Sequence, residues 1–343
     1  MKLSITRVCA AFVPVCAAFA CALAVTAATA ADLKPLDTRW VTDLGGSVTR
    51  DQQGRVTGVN LRGTWVTDTD LRRLNDLPDL SALDLGLTHI TDQGMTEIKS
   101  LRNVTDLSLY FAEYITDEGL AAIKDWKKLK RLNLHGSKAG DTALEHISGI
   151  STLEALNVGS TLMTDVGLER LTALTKLKEL TMGGNELGDA GLQALRQMPG
   201  LTYLDLSGRQ GTDKNVWTVA MSEVGLEAVL TLKQLQELRF SCNSVGVGIE
   251  GQRLGEISFL TVTPKWIEKI AAMPKLERLK FQGCNRVGDD SVKAFAAMPN
   301  LHEIDLQGTS VTAKGAETLK SGKPGLVVFF GPWEAKSANY RNN

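Results

Sequence analysis

Aliphatic residues recur along this chain in one pattern, L-x-x-L-x-L, in which polar or small residues separate three apolar positions. The pattern begins at eleven positions: Val56, Leu80, Val104, Leu129, Leu153, Leu177, Leu201, Leu235, Leu276, Leu301 and Leu326. Successive starts are 24 or 25 residues apart, except for two intervals of 34 and 41 residues. Self-similarity at such a period is the signature of a repeat architecture. The chain is therefore a series of about ten similar units.

Each unit predicts one strand and one helix. The apolar residues at i, i+3 and i+5 fit a short strand with alternate side chains turned inward. A polar turn follows, often Thr-Asp, and then an apolar stretch with helical spacing, as in "TDEGLAAIKDW" at 116–126. Thr is a good helix N-cap, and Asp in the first turn suits the helix dipole. One unit cannot bury its apolar faces alone, so we expect the units to stack.

These motifs resemble leucine-rich repeats, nearest to the ribonuclease-inhibitor-like and cysteine-containing subclasses and to the bacterial secreted type. The segment "LERLKFQGCNRVGDDSV" (276–292) is similar to the cysteine-containing form, and Cys284 occupies the position that Thr64, Thr88, Thr161 and Thr309 hold elsewhere. The resemblance implies an α/β leucine-rich repeat solenoid, or horseshoe, with about ten 24–25-residue strand–helix units and a parallel concave sheet. It implies little about function.

The chain ends differ from the repeats. Residues 1–30 predict a cleaved signal peptide, with Lys2 and Arg7 before an apolar run and Ala28-Thr29-Ala30 before the cleavage site. An uncleaved membrane anchor is the alternative. Residues 31–55 predict an N-terminal cap, with a short helix at 38–46 and a hairpin at 48–61. The repeats occupy 56–325, with insertions near 208–222 and 243–262. Residues 326–343 predict a last strand and a cap that includes Trp333 and Tyr340.

Composition narrows the function classes. Of the 343 residues, 43% are hydrophobic and 22% are charged, which is typical of a folded globular protein. The formal net charge is −1, and loss of Lys2 and Arg7 with the leader makes it about −3. This balance argues against a nucleic-acid partner. After cleavage only Cys242 and Cys284 remain; they lie in adjacent units, where their backbones are within reach of a disulfide, but their registers differ by one, which favours side chains that point apart. The sequence leaves open whether they form a disulfide.

Outward positions beside the buried leucines are candidate binding positions. In the resembled fold they line the concave face, where the last four units are dense in charge. The candidate residues on this face are Tyr110, His135, Tyr203, Asp205, Glu237, Arg239, Arg278 and Lys280. An alternative is a purely structural ladder of ion pairs between neighbouring strands. It would join Asp205 to Arg239, Glu237 to Arg278, and Lys280 to Asp305.

The two insertions predict loops that project from one edge of this face. They place Trp217, Phe259 and Trp266 beside its charged part, and loops on a rigid scaffold often carry function. We therefore predict these three aromatic residues as loop contacts for a partner. The alternative is that the insertions pack on each other, with their aromatic side chains as a satellite core.

No motif predicts catalysis, a metal or a cofactor. The segment "GVGIEG" (246–251) matches G-x-G-x-x-G without the βαβ context that dinucleotide binding requires, so we interpret its glycines as turn residues. The four histidines lie in distant units, which argues against zinc. Aspartates recur at helix starts, where the helix dipole accounts for them without calcium.

The sequence thus favours a non-enzymatic, secreted or periplasmic protein-interaction module that binds a protein through the concave face and the loops of units 7 and 8. After cleavage of the leader it would have no stable membrane insertion. The alternatives are a cell-envelope polysaccharide-binding protein and an enzyme inhibitor or adaptor. The sequence leaves the oligomeric state open.

Overall fold

A twelve-stranded sheet dominates the computed structural model, which describes residues 37–208, 210–211, 216–242 and 262–332. The sheet order is β1-β2-β3-β4-β5-β6-β7-β8-β11-β12-β13-β14, and β9 and β10 pair separately. Only β1 runs antiparallel to its neighbour within the twelve-stranded sheet. The strands are β1 Ser47–Arg50, β2 Val56–Asn60, β3 Ala82–Asp84, β4 Asp106–Ser108, β5 Arg131–Asn133, β6 Ala155–Asn157, β7 Glu179–Thr181, β8 Tyr203–Asp205, β9 Gln210–Gly211, β10 Val216–Trp217, β11 Glu237–Ser241, β12 Arg278–Gln282, β13 Glu303–Gln307 and β14 Val327–Gly331.

Helices follow the strands, so that each unit closes with one helical segment. The α-helices are α1 Arg39–Asp43, α2 Asp92–Glu97, α3 Asp117–Leu120, α4 Asp141–Ser148, α5 Asp165–Arg170, α6 Asp189–Leu192, α7 Glu223–Val229, α8 Pro264–Ala271, α9 Val292–Ala297 and α10 Ala313–Gly322. Short 3₁₀ segments cover Asp70–Asp76, Ala121–Ile123, Leu171–Ala173, Gln193–Gln197 and Asp289–Ser291. Within the described ranges no helix has the length and apolar character that a membrane crossing requires.

The predicted repeat is confirmed as a stack of ten strand–helix units, numbered here from β2 to β13. Each aliphatic pattern leads into a strand of the sheet, and the strands pair in one register: Leu83 lies opposite Leu107, and Leu107 opposite Leu132. These leucines are buried in one continuous core between sheet and helices. The short helix and the β1–β2 hairpin predicted before the first unit are present.

A hydrogen-bonded ladder of aspartates joins successive units on the helix side. The carboxylate of Asp92, at the start of α2, accepts bonds from the backbone N–H of Thr116 at 2.8 Å and from its hydroxyl at 2.7 Å. Thr116 is the N-cap of the next helix, α3, and its hydroxyl accepts from Glu118 N–H. The aspartates that bind the next unit's cap in this way are Asp68, Asp92, Asp117, Asp141, Asp165, Asp189 and Asp289. The helix dipole therefore explains only part of their recurrence, because they also fix one unit to the next.

In several units a glycine two residues after the aspartate at the helix start leaves room for this ladder. A Cβ at Gly191 would lie 2.2 Å from Asp165 Oδ1 and 2.8 Å from the Asp165 Cα. Gly119 and Gly167 are equally close to Asp92 and Asp141. At these glycines the helix approaches the aspartate of the previous unit closely because it carries no side chain there. In α4 the same position holds Ala143, and Asp117 still accepts the bond from Gly140 N–H.

The first insertion leaves the ladder intact. β9 and β10 form a small antiparallel hairpin between β8 and α7, and Ser222 still reaches Asp189, 33 residues earlier. The ladder stops at the next two junctions. At the helix start of unit 7, Glu223 replaces the aspartate and pairs with Lys265 at 2.9 Å. Pro264 holds the same position in unit 8.

A disulfide joins unit 8 to unit 9, where the ladder is missing. Cys242 and Cys284 are bonded, with their Cα atoms 4.5 Å apart and both side chains buried. The expectation that their side chains point apart is wrong. Gly283 lies at φ +70°, and Cys284 N–H bonds back to Phe281 C=O. This turn directs Cys284 toward Cys242 despite the register difference of one residue.

Several predicted segments lie outside the described residues. They are the leader at 1–30, the second insertion between 243 and 261, and the C-terminal segment from 333 to 343 with Trp333 and Tyr340. The last strand that the sequence predicts is present as β14 and pairs in parallel with β13.

Gly191→Ala should destabilise the protein by about 1–3 kcal/mol, because its Cβ overpacks against the Asp165 backbone. The midpoint and slope of urea unfolding measure this. Gly149→Ala is the matched control: Gly149 has a helical backbone with only one contact, at 3.6 Å, to its new Cβ. The control should gain about 0.4–1 kcal/mol. Equal effects of the two substitutions would contradict the steric role of the motif glycine.

Reduction of the Cys242–Cys284 bond should lower the free energy of unfolding by about 3–4 kcal/mol, because the bond closes a loop with a sequence separation of 42. Urea unfolding with and without reductant measures the difference. A Cys242→Ala/Cys284→Ala variant should be insensitive to reductant. Unchanged stability of the native protein in reductant would show that the bond contributes nothing.

Candidate functional site

An open trough runs across the face of the sheet that no helix covers. It extends over β2–β8, from Asn60 and Ala82 at one end to Thr181 and Tyr203 at the other. Successive side chains of a strand alternate between the two faces, so the leucines enter the core while their neighbours line the trough. Ala82 and Ala155 have short side chains, so they leave space above the strands in part of the trough. We call this surface the sheet trough.

Polar residues beside the trough accept hydrogen bonds from the backbone near the strand ends. In six strands an Asn or Asp oxygen accepts a bond from the backbone N–H two residues later. In five of them this residue ends the strand, whereas in β13 the strand continues for two more residues. The acceptors are Asn60, Asp84, Asn133, Asn157, Asp205 and Asp305. Asp205, a predicted binding residue, is therefore also a turn residue, bonded to Ser207 N–H at 2.8 Å and almost fully buried.

Three charged side chains cross the trough floor. Arg131 lies 3.0 Å from Glu179 and 3.7 Å from Asp106. Its bridge to Glu179 passes over unit 5, where the short side chain of Ala155 leaves room. All three side chains are about half exposed to solvent. This charged triad (Asp106, Arg131, Glu179) presents groups that a partner can reach.

The charges of units 7–9 are arranged differently, in a packed cluster. Glu237 is 5% exposed and lies 2.6 Å from Arg278 and 2.5 Å from Arg239. Arg239 also lies 3.7 Å from Asp205, and its guanidinium lies over the Tyr203 ring at 5.0 Å. The predicted contacts of Asp205 with Arg239 and of Glu237 with Arg278 are confirmed.

Lys280 departs from the prediction. Its ammonium lies 3.4 Å from Glu303, one strand away, rather than against Asp305. Asp305 is buried and accepts from Gln307 N–H and from the Gln282 side chain, so its oxygens are already engaged.

The titration behaviour of the cluster follows from its packing. Burial raises the pKa of Glu237, but the hydrogen bond from Arg278 and the charge of Arg239 outweigh it, so that pKa lies below its ordinary value. Burial and the nearby Asp205 charge raise the pKa of Tyr203 well above its ordinary range. Glu237 is thus ionised and Tyr203 neutral at pH 7, and the charges largely satisfy one another.

The predicted loop aromatics have different environments. Trp217 lies in β10 of the inserted hairpin and is half-buried. The placement of Trp266 in a projecting loop is wrong: it lies in the first turn of α8 and is only 5% exposed, because its ring packs into the core. Phe259 and the "GVGIEG" segment lie outside the described residues.

Tyr110 and His135 come together at the strand ends of units 3 and 4. Their rings stack at 5.3 Å, and Arg62 of unit 1 reaches over Tyr110 at 4.4 Å. Glycines make this possible, since a Cβ at Gly159 would lie 2.7 Å from His135 Nδ1. Burial lowers the pKa of His135, so its imidazole is neutral at pH 7.

The sequence interpretation missed a second aromatic group on the same edge. Trp65, His89 and Tyr114 are all exposed, and their rings follow one another at 5.1 and 5.5 Å. Each directly precedes a buried aliphatic residue: Val66, Ile90 and Ile115. We call Trp65, His89 and Tyr114 the aromatic row. Its signal was available, because the three rings recur at intervals of 24 and 25 residues.

Metal chemistry has no visible basis in the described part of the chain, where no three His, Cys, Asp or Glu side chains are grouped to hold an ion. Two of the four histidines, His135 and His146, belong to unit 4, the first just after β5 and the second in α4. The ladder aspartates face the next unit's backbone and hydroxyls and are already bonded there.

Comparison with known families supports the repeat assignment. A family model described as "Leucine Rich repeat" matches residues 77–99, 173–195 and 272–296. Each matched range contains one strand of the sheet and all or nearly all of the helix that follows it. A curated relative, the putative RNA-binding protein EEED8.10 of Caenorhabditis elegans, is 31% identical over 88 residues. That match covers 26% of this chain and only 10% of the relative. Together with the geometry, the family match assigns the fold as a leucine-rich repeat solenoid.

Two solved structures show some likeness to this chain. An internalin from Listeria monocytogenes is 16% identical, with 81% of this chain and 90% of that chain covered and a TM-score of 0.48. The leucine-rich repeat ectodomain of the receptor kinase GASSHO1/SCHENGEN3 from Arabidopsis thaliana is 17% identical, with 77% and 28% covered and a TM-score of 0.42. The latter was solved in complex with CASPARIAN STRIP INTEGRITY FACTOR 2.

Glu237→Gln should lower stability at pH 7 by about 1.5–3 kcal/mol, because two arginines lose a charged acceptor. The pKa of Glu237 is lower in the folded chain, so its contribution is complete above its ordinary pKa and is lost as the pH falls through the folded value. Urea unfolding from pH 7 to pH 3 should therefore show the gap between native and variant protein narrowing with acid.

Glu179→Gln is the matched control for this pH series. Its partner Arg131 is exposed, so the substitution should cost less than about 1 kcal/mol at any of these pH values. A gap for Glu237→Gln that stays constant with pH would contradict the ionised, buried pair.

Proposed function

We propose that this leucine-rich repeat protein is an exported, non-enzymatic module that binds another protein through the sheet trough. The observation that carries the proposal is the contrast between two charged regions on one face. The triad of Asp106, Arg131 and Glu179 is half exposed, whereas Asp205 and Glu237 are buried and paired internally. A partner can therefore gain contacts in the trough without breaking the packing of the sheet.

The dimensions of the trough favour a macromolecular partner. It crosses seven parallel strands, β2 to β8, and neighbouring strands lie about 4.8 Å apart, so it is about 29 Å wide along the stack. Such a breadth suits a protein surface or an extended segment better than a small molecule. Trp217, in the hairpin that follows β8, would add a contact at the far end.

The charges lining the trough argue against nucleic acid. The charged side chains along it are Asp84, Asp106, Glu179 and Arg131, three carboxylates against one guanidinium. Phosphate binding needs clustered cations. The name of the putative RNA-binding relative is therefore not transferred to this chain, which it matches over a tenth of its own length.

Export is part of the proposal. The predicted leader at 1–30 supports it, and so does the disulfide between Cys242 and Cys284, since such bonds persist in oxidising compartments. The expected location is the periplasm or the extracellular space.

Photo-crosslinking in intact cells of the source organism tests this proposal. A photoreactive residue at Ala82 should give a discrete protein adduct, because Ala82 is exposed in the trough. The same residue at Ala190, exposed in α6 on the helix side, is the matched control and should give none. Arg131→Glu, added to the Ala82 probe, should abolish the adduct. It places a third carboxylate beside Asp106 and Glu179, so urea unfolding is measured to confirm that the variant is still folded.

Either of two results would contradict the proposal. One is an adduct that is equal at Ala82 and Ala190, which would indicate non-specific encounter. The other is an Ala82 adduct that survives Arg131→Glu and Ala155→Trp, since both substitutions change the trough floor.

A further inference from the structure

The aromatic row of Trp65, His89 and Tyr114 lies where strands give way to helices in units 1–3, apart from the residues that line the sheet trough. Trp65 and His89 are nearly parallel, at 3°, and the Tyr114 ring is tilted by 33° to His89. Each unit contributes one ring, so the spacing between the rings follows the spacing between successive units. The arrangement is fixed by the stacked units rather than by a flexible loop.

Trp65 has the most unusual environment of the row. It is 79% exposed, whereas Trp40, Trp126 and Trp266 are at most 6% exposed. His89 stacks on one of its faces, and exposure of that extent leaves the opposite face open to solvent. Contiguous exposed rings with polar groups at their rims are typical of interaction and ligand sites.

The chemistry of the row suits an uncharged ligand. Its three side chains include no carboxylate, ammonium or guanidinium. Their edges carry polar groups, namely the indole N–H, the imidazole nitrogens and the phenol O–H. Arg62, on the same edge, is engaged with Asp84 at 3.8 Å and with the Tyr110 ring. Flat apolar faces beside hydrogen-bonding edges match a sugar ring, which has an apolar C–H face and hydroxyls around its rim.

The size of the row favours a small ligand over a protein. A fully covered aromatic side chain buries about 150–250 Å², and these rings already cover part of one another. The area left is below the roughly 800 Å² per partner of a stable protein interface. It is sufficient for one or a few sugar rings.

We propose that Trp65, His89 and Tyr114 form a binding site for a neutral oligosaccharide. One sugar ring stacks on the open face of Trp65. The polar groups at the ring edges of His89 and Tyr114 form hydrogen bonds with hydroxyls of the next sugar residues of the oligosaccharide. The ligand class agrees with the glycan alternative from the sequence, but the residues differ, since Trp266 is buried and Trp217 lies elsewhere. The site does not depend on the protein partner proposed for the sheet trough.

Calorimetric titration of the purified full chain with neutral hexasaccharides of glucose and of N-acetylglucosamine tests the site. We expect binding of at least one of them, accompanied by a change in tryptophan fluorescence. Trp65→Ala should raise Kd about tenfold and remove the fluorescence change. Tyr114→Ala should weaken binding, while Tyr114→Phe, which keeps the ring, should retain most of it. Trp65 is exposed, so its loss should leave the unfolding midpoint unchanged.

Trp217→Ala is the matched tryptophan control and should bind sugar like the native chain. Three results would overturn the proposal. They are no binding of either hexasaccharide at millimolar concentration, binding that Trp65→Ala leaves unchanged, and a discrete protein adduct from a photoreactive residue at Tyr114. These outcomes do not depend on the crosslinking experiment at Ala82, so the sugar site can be confirmed even if the protein partner of the sheet trough is not found.

Discussion

The bond from each aspartate carboxylate to the next helix N-terminus holds the repeat in register. Asp92 satisfies both the backbone N–H and the hydroxyl of Thr116, and the same geometry recurs at Asp141 with Thr164. Helix N-termini have N–H groups without partners within the helix. Here the preceding unit supplies an acceptor for the cap residue. A shift of one unit relative to the next would therefore break the hydrogen bonds of the cap residues and would also disturb the packing of the leucine core.

This constraint shapes the opposite face too. Because the helix side fixes the register, the strands repeat at one height, and outward side chains from different units meet in rows. Some rows are filled by paired charges, as at Glu237 and Arg278, and these pairs contribute to the packing of the sheet. Others stay about half exposed although they are paired, as at Arg131 with Glu179, or carry stacked rings, as at Trp65 and His89. Binding capacity lies in rows whose groups remain accessible to solvent.

Most of the fold could be predicted because it depends on local periodicity. The spacing of the leucines locates every parallel strand of the twelve-stranded sheet, and Thr-Asp locates the starts of α2, α3 and α5. What the sequence could not provide depends on contacts between units. The direction of the Asp92 carboxylate is visible only once α3 lies beside it. The Cys242–Cys284 bond depends on the left-handed backbone at Gly283, which strand register alone does not reveal. Trp266 looked like a loop residue, because the length of the insertion hid the start of α8.

The break in the aspartate ladder around unit 8 has an evolutionary consequence. At the junctions on either side of this unit, alignment with its neighbours depends on strand pairing, on the Glu223–Lys265 contact and on a covalent cross-link. None of these contacts involves the chain between Cys242 and α8. The length of the connection in unit 8 can therefore depart from 24 or 25 residues without the loss of an aspartate bond, and in unit 7 a longer connection still keeps the bond between Asp189 and Ser222. A long unit of 41 residues inside a 24–25-residue array is the outcome expected of such a position.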